Sequence, residues 1–162
     1  MIDLETANRM FEYNPETGTL TRKIRSGKGL AGSVVGHPND KGHLRVSIDY
    51  KYYYVHRICW LIHYGEDAPS LIDHKNGDGE DNKISNLRLA TNKENSANMK
   101  LTSRNTSGVK GVSWHKHKGV WRATLKVDGK HVHVGYFEDI GAAEEAMRIL
   151  RNKTHGEFTN HG

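Results

Sequence analysis

The sequence predicts an α+β protein of two modules, on three observations. Apolar residues alternate at strand spacing in two separate stretches. Helical spacing appears only in short segments between and after them. A polar run without periodicity divides the chain into 1–98, a linker at 99–108, and 109–160.

At 162 residues the chain holds one ordinary domain or two small ones. Mean hydropathy is −0.75, and the longest apolar run, Ile58–Ile62, is far too short to span a membrane. The N-terminus has neither the basic start nor the apolar core of a secretory signal, so a cytoplasmic setting without membrane attachment is expected. Cys59 is the single cysteine, which excludes an internal disulfide framework; its apolar neighbours make it a buried thiol. The net charge is +5. Lys100, Arg104, Lys110, Lys116, Lys118, Arg122, Lys126 and Lys130 face only Asp128 over that stretch, with Trp114 and Trp121 among them. Such a stretch suits a nucleic-acid surface, although charge alone fits a solvated strand face equally well.

Leu4, Ala7, Met10 and Phe11 recur at helical spacing and predict an N-terminal helix. Asn14–Gly18 is a turn and Thr19–Arg22 a strand. A glycine-rich loop follows. The stretch 43–49 alternates, with Leu44, Val46 and Ile48 on one face, and 52–56 is its expected hairpin partner. Ile58, Cys59, Leu61 and Ile62 predict a helix closed by Gly65. Leu71-Ile72 then delivers Asp73-His74, a polar loop follows, Leu87-Arg88-Leu89 returns as a strand, and Thr91-Asn92-Lys93-Glu94 reads as a capping box opening a helix. In the second module, 109–117 and 120–127 are strand candidates. Asp128-Gly129 is a strong hairpin signal into 130–137, and Ile140, Ala143, Ala146, Met147 and Leu150 mark one amphipathic helix.

The strand–loop–strand–helix segment carries the residue types of phosphodiester hydrolysis. A neutral histidine takes a proton from water near neutral pH, and a divalent metal stabilises the phosphate and the leaving oxygen. The Asp73 carboxylate and Asn95 amide are oxygen donors of the kind Mg²⁺ accepts. Adjacent strand residues point to opposite faces, so Asp73 and His74 need a twist or bulge to share one phosphate.

The stretch 52–98, with Val55-His56-Arg57 ahead of Asp73-His74 and Asn86-Leu87, resembles HNH endonucleases of the phage and intron-homing group. The resemblance implies a ββα-metal core in which Asp73 is a metal ligand and His74 the general base. Asn86, twelve residues past His74, would brace the loop, and Asn95, twenty-one past it, would complete the metal site. The implied cofactor is Mg²⁺ or Mn²⁺, and the implied substrate is double-stranded DNA. Each residue has a plainer reading: Asp73-His74 as a strand end, Asn86 as a turn cap, Asn95 as an exposed helix residue. His56 is assigned a structural role. Asp78, Glu80 and Asp81 lack the final bidentate glutamate of a calcium loop.

Gly108–Trp114, Gly119–Ala123, Val134–Phe137, Ala142-Ala143 and His155-Gly156 resemble the AP-two domain of plant ethylene-response factors. That family lays a three-stranded sheet, backed by one helix, in the DNA major groove. By resemblance Lys110, Ser113, His115, Thr124, Lys126, His131 and His133 match DNA-contacting positions. Period-two alternation separately sets Trp121, Ala123, Leu125 and Val127 against the helix and Arg122, Thr124 and Lys126 on the open face. Several of these positions differ from the plant domain, so its base preference does not transfer. A zinc site at His131 and His133 lacks further ligands nearby. Together these features predict a monomeric DNA endonuclease; the competing class is a DNA-binding regulator on a decayed scaffold, and retention of all four site residues argues against decay. An RNA-directed enzyme is disfavoured, because few aromatics are placed to stack single-stranded bases.

Overall fold

A computed structural model describes residues 2–127 and 129–162. It is an α+β protein whose sheets are all antiparallel, and it divides into two compact units, 1–91 and 92–162. Among the described residues no helix is long and apolar enough to cross a membrane.

The first unit opens with helix α1 (Leu4–Met10), where the Asp3 carboxylate accepts from the Thr6 backbone N–H at 2.7 Å. Phe11 does not extend this helix as its spacing predicted. It opens strand β1 (Phe11–Asn14), pairing with Arg22 of β2 (Thr19–Arg22), and its ring is buried as either assignment would require. A short β3 (His37–Pro38) joins β4 (Leu44–Ile48) and β5 (Lys51–Tyr54) in a three-stranded sheet. The expected hairpin partner is shorter than its pattern. Helix α2 (Val55–Tyr64) begins at Val55 and so carries His56 in its first turn. Val55, Ile58, Cys59 and Leu61 join the main core with Ala7, Phe11, Leu20 and Val46. Trp60 faces a second cluster with Ala68, Ile72 and Leu87. Helix α2 is therefore apolar on two sides, and each buried large side chain contributes about 1.5–3 kcal/mol. Arg57 ties down the following loop through Asp67 Oδ1 and the Ala68 carbonyl, both at 2.8 Å. That loop leads into β6 (Leu71–His74), which pairs with β7 (Leu87–Ala90).

The second unit contains α3 (Asn92–Ala97) and a sheet of β8 (Val112–His115), β9 (Val120–Val127) and β10 (Lys130–Phe137), in the order β10-β9-β8. Helix α4 (Ile140–His155) covers one face, with Ala143 and Met147 packed on Val112, Ala123 and Leu125. Trp121 and Val127 also turn to this core, as alternation predicted. The polar stretch 99–108 lies within this unit and is ordered by its own side chains. Ser107 Oγ donates to the Val112 carbonyl at 2.7 Å, and Asn105 Nδ2 to that of Val109 at 3.0 Å. Val127 pairs with Lys130 as the turn signal predicts, Gly129 has φ +79°, and Asp128 lies outside the described residues.

Strict alternation fails at one place in β10. The register shifts between His133, opposite Thr124, and Gly135, opposite Ala123, so Val134 is an extra residue. Val134 and Phe137, three apart, can then both face the core, while Tyr136 joins the open face opposite Arg122. The signal was Gly135, a glycine inside a strand pattern.

The β1–β2 turn is more than a connection. Gly18 has φ +75°, and a Cβ there would meet Lys83 N at 2.5 Å and Asn82 C at 2.7 Å. The turn is thus pressed against the backbone of the loop between β6 and β7. We expect Gly18→Ala to lower stability by about 2 kcal/mol or more, from left-handed strain and backbone overlap together. Urea unfolding measures it; a change within about 0.5 kcal/mol would mean the turn does not bear on that loop.

Candidate functional site

Strand β6 enters the first unit's second core through Ile72 and ends on two buried polar residues, Asp73 and His74. Its ladder with β7 runs without a bulge from Leu71↔Ala90 to His74↔Leu87. The two side chains accordingly meet different partners. Asp73 faces its cross-strand neighbour Arg88, whose Nε and Nη2 reach Oδ2 at 2.9 and 2.8 Å. Both side chains are nearly buried, at 5% and 11% exposed. An arginine is suited to this because its fork stays charged when water is removed.

His74 meets Asn82: Nε2 lies 3.2 Å from Asn82 Oδ1. Asn82 Nδ2 donates to the Glu80 carbonyl at 3.0 Å, which fixes the amide with its oxygen toward the ring. Asn82 itself is 1% exposed and held from outside the loop. Tyr13 Oη donates to its carbonyl at 2.7 Å, and the next-but-one residue, Ile84, donates to the Pro15 carbonyl at 3.0 Å. His56 and His43 lie beside His74, with ring centroids 5.1 and 5.4 Å away. Burial pushes the His74 imidazole below its ordinary value, partly offset by the Asn82 bond. Burial also lowers His43, and it drives His56 down to about 3 with the neighbouring His74 adding to it.

Asn86 closes the loop at its far end. Its Oδ1 accepts from the Asn76 N–H at 3.0 Å, and its Nδ2 donates to Asn76 Oδ1 at 3.1 Å and the Asp81 carbonyl at 2.7 Å. One buried amide therefore joins both ends of a ten-residue span. Asn95 lies exposed on α3, in the second unit.

In the second unit, cross-strand partners share a face. Ser113 pairs with Arg122, Arg122 with Tyr136, Thr124 with His133, and Lys126 with His131. These form one open polar surface opposite α4. Tyr136 sits at its centre, with His133 at 4.6 Å, His115 at 5.5 Å and the Lys118 ammonium 4.0 Å over its ring. Lys110 lines one groove with Thr124, Lys126 and His131. Its Nζ donates to the carbonyls of Ala97 and Asn160 at 3.1 Å each and to that of Met99, so it gathers three chain segments.

Sequence reasoning missed Asn82, Arg88, His43 and Tyr136. Arg88 stood opposite Asp73 once the two strands were aligned, and Tyr136 needed the bulge. Asn82 and His43 lie in irregular segments where no periodicity fixes a direction.

Residues 53–97 match the HNH endonuclease family. Protein 3.8 of Escherichia phage T7 is 41% identical over 87 residues, covering 54% of this chain and 71% of that protein. Among solved structures, one describing DNA binding and cleavage by the HNH homing endonuclease I-HmuI is similar with TM-score 0.44 and 22% identity, covering 94% of this chain and 85% of that one.

The Asp73–Arg88 pair gives a stability test that is independent of activity. Arg88→Met removes a buried ion-pair partner of Asp73, which costs about 3–5 kcal/mol. Asp73→Asn with Arg88→Met together should recover part of that loss in urea unfolding. A single variant as stable as wild type would show that the pair does not hold the β6 end.

Proposed function

The chain belongs to the HNH endonuclease family, and on that premise we propose that it is a metal-dependent endonuclease hydrolysing phosphodiester bonds in double-stranded DNA. The observation that carries this reading is His74, buried at a strand end with Nε2 turned to a fixed amide oxygen. Asn82 Oδ1 can only accept, so Nε2 carries the proton and the neutral ring keeps its lone pair on Nδ1. Nδ1 is the atom we assign to take the proton from the attacking water. Asn86 keeps the loop, and hence Asn82, at constant distance from β6. Mg²⁺ or Mn²⁺ is the proposed cofactor; the Asp73 carboxylate would be an oxygen ligand to it, and the bound ion would supply charge stabilisation to the phosphate and the leaving 3′ oxygen.

The open face of the second unit is the proposed DNA surface, in keeping with its resemblance to AP-two domains. Arg122 and Lys126 supply phosphate contacts, while Ser113, His115, Thr124, His131 and His133, joined by Tyr136, are placed for contacts to base edges or backbone. Lys110 is assigned to the unit's own architecture instead. One base and one metal site act on one phosphate at a time, so a monomer is a nicking enzyme. Similarity to a phage protein fits a phage or prophage origin, with action in the host cytoplasm.

His74→Ala should lower plasmid nicking by about 10²–10⁴-fold and leave DNA affinity intact; nicking within twofold of wild type would remove His74 from this role. The base must be unprotonated, and burial holds its pKa below the ordinary 6.5. Nicking should therefore persist through pH 6.5 and fall only below it, whereas an acid limb at or above 6.5 contradicts the assignment. Arg122→Ala with Lys126→Ala should weaken binding and flatten its salt dependence by roughly one unit of slope per lost phosphate contact. Unchanged affinity and slope would make that face a merely solvated one.

A further inference from the structure

Three histidines converge where the proposed reaction uses one. His43 precedes β4, His56 lies in the first turn of α2, and His74 ends β6. One ring nitrogen of each lies within 4.8 Å of those of the other two, and among the described residues this is the group of histidine, cysteine and acidic side chains placed to hold an ion. His56 and His74 are buried and His43 half-buried. Nδ1 of His43 and Nδ1 of His56 are buried with no hydrogen-bond partner among the described residues, so hydrogen bonding at those atoms does not account for the gathering. Binding would engage each ring in its neutral form, which has a lone pair for a metal.

We propose that His43, His56 and His74 form a binding site for an imidazole-preferring transition-metal ion of the Zn²⁺ type, and that occupancy takes His74 out of the reaction. Donor chemistry separates this ion from the one that serves cleavage. Three imidazoles leaving one position to water suit Zn²⁺ or Co²⁺, whereas Mg²⁺ seeks oxygen donors. The inhibitory half rests on the reading of His74 as general base: the lone pair that would accept the proton of water is the one a metal would occupy.

The test uses the full-length, metal-stripped chain at neutral pH, with Co²⁺ as a visible stand-in for Zn²⁺. We expect one Co²⁺ per chain with the strong absorption of a low-coordinate site, bleached by Zn²⁺, and a thermal unfolding midpoint raised by Zn²⁺. His43→Ala should weaken binding by more than the roughly 10–100-fold that a change outside the ligand set costs. His131→Ala with His133→Ala should bind as wild type. Equal binding by the His43 variant, or its loss in the His131/His133 variant, would overturn the site. If His43→Ala does not melt cooperatively, His43→Gln serves in its place. Zn²⁺ added to Mg²⁺-dependent nicking should inhibit wild type and spare the His43 variant relative to that variant's own rate. Co²⁺ binding without inhibition would overturn the inhibitory half and leave the site standing. Absence of any Mg²⁺-dependent nicking would instead defeat the nuclease reading, while the Co²⁺ titration still decides the site.

Discussion

The contact on which the first unit's polar interior turns is the hydrogen bond from His74 Nε2 to Asn82 Oδ1. Asn82 sits in an irregular loop, a poor place for precision, yet it is among the most buried residues of the chain. Its fixity is borrowed. The β1–β2 hairpin supplies Tyr13 Oη and the Pro15 carbonyl as anchors, and Gly18 lets that hairpin's turn lie flat against the Asn82–Lys83 backbone. Asn86 ties the loop's two ends together. A segment far away in sequence thus positions the amide that meets the His74 ring.

A small unit has little apolar surface with which to hold a polar loop, and this one uses amides and an ion pair instead. Asn14, Asn39, Asn76, Asn82 and Asn86 each spend a side-chain oxygen on a backbone N–H or a ring nitrogen. Arg88 balances Asp73 across the β6–β7 ladder. Asn82 and Asn86 tolerate burial because each of these two amides both donates and accepts. The second unit follows the ordinary plan, with an apolar sheet face under α4 and the polar face left open. Lys110 adds a polar tie to this plan, its ammonium donating to three carbonyls of the same unit.

Much of this was legible in the sequence wherever periodicity fixes direction. The strand–loop–strand–helix order around His74, the three strands with one helix that follow, and the faces of Trp121, Ala123, Leu125 and Val127 all came from spacing. What escaped was set by tertiary contacts. Phe11 fits a helix stripe as well as a buried strand position, and only its pairing with Arg22 decides. His56 moved from a strand into a helix because Val55 is buried beside Ile58 and Cys59. A single extra residue at Val134 reversed the faces of everything after it in β10. His43 and Asn82 lie outside any repeat, so their approach to His74 could be known only from the folded chain.

The most direct measurement is the nitrogen-15 NMR spectrum of the His74 ring in the metal-stripped protein, titrated through the acid range. The account predicts a ring protonated at Nε2 at neutral pH, with its second protonation below pH 6.5, and mixed tautomers when Asn82 is replaced by alanine. A ring protonated at Nδ1, or one that titrates at or above 6.5, would contradict it.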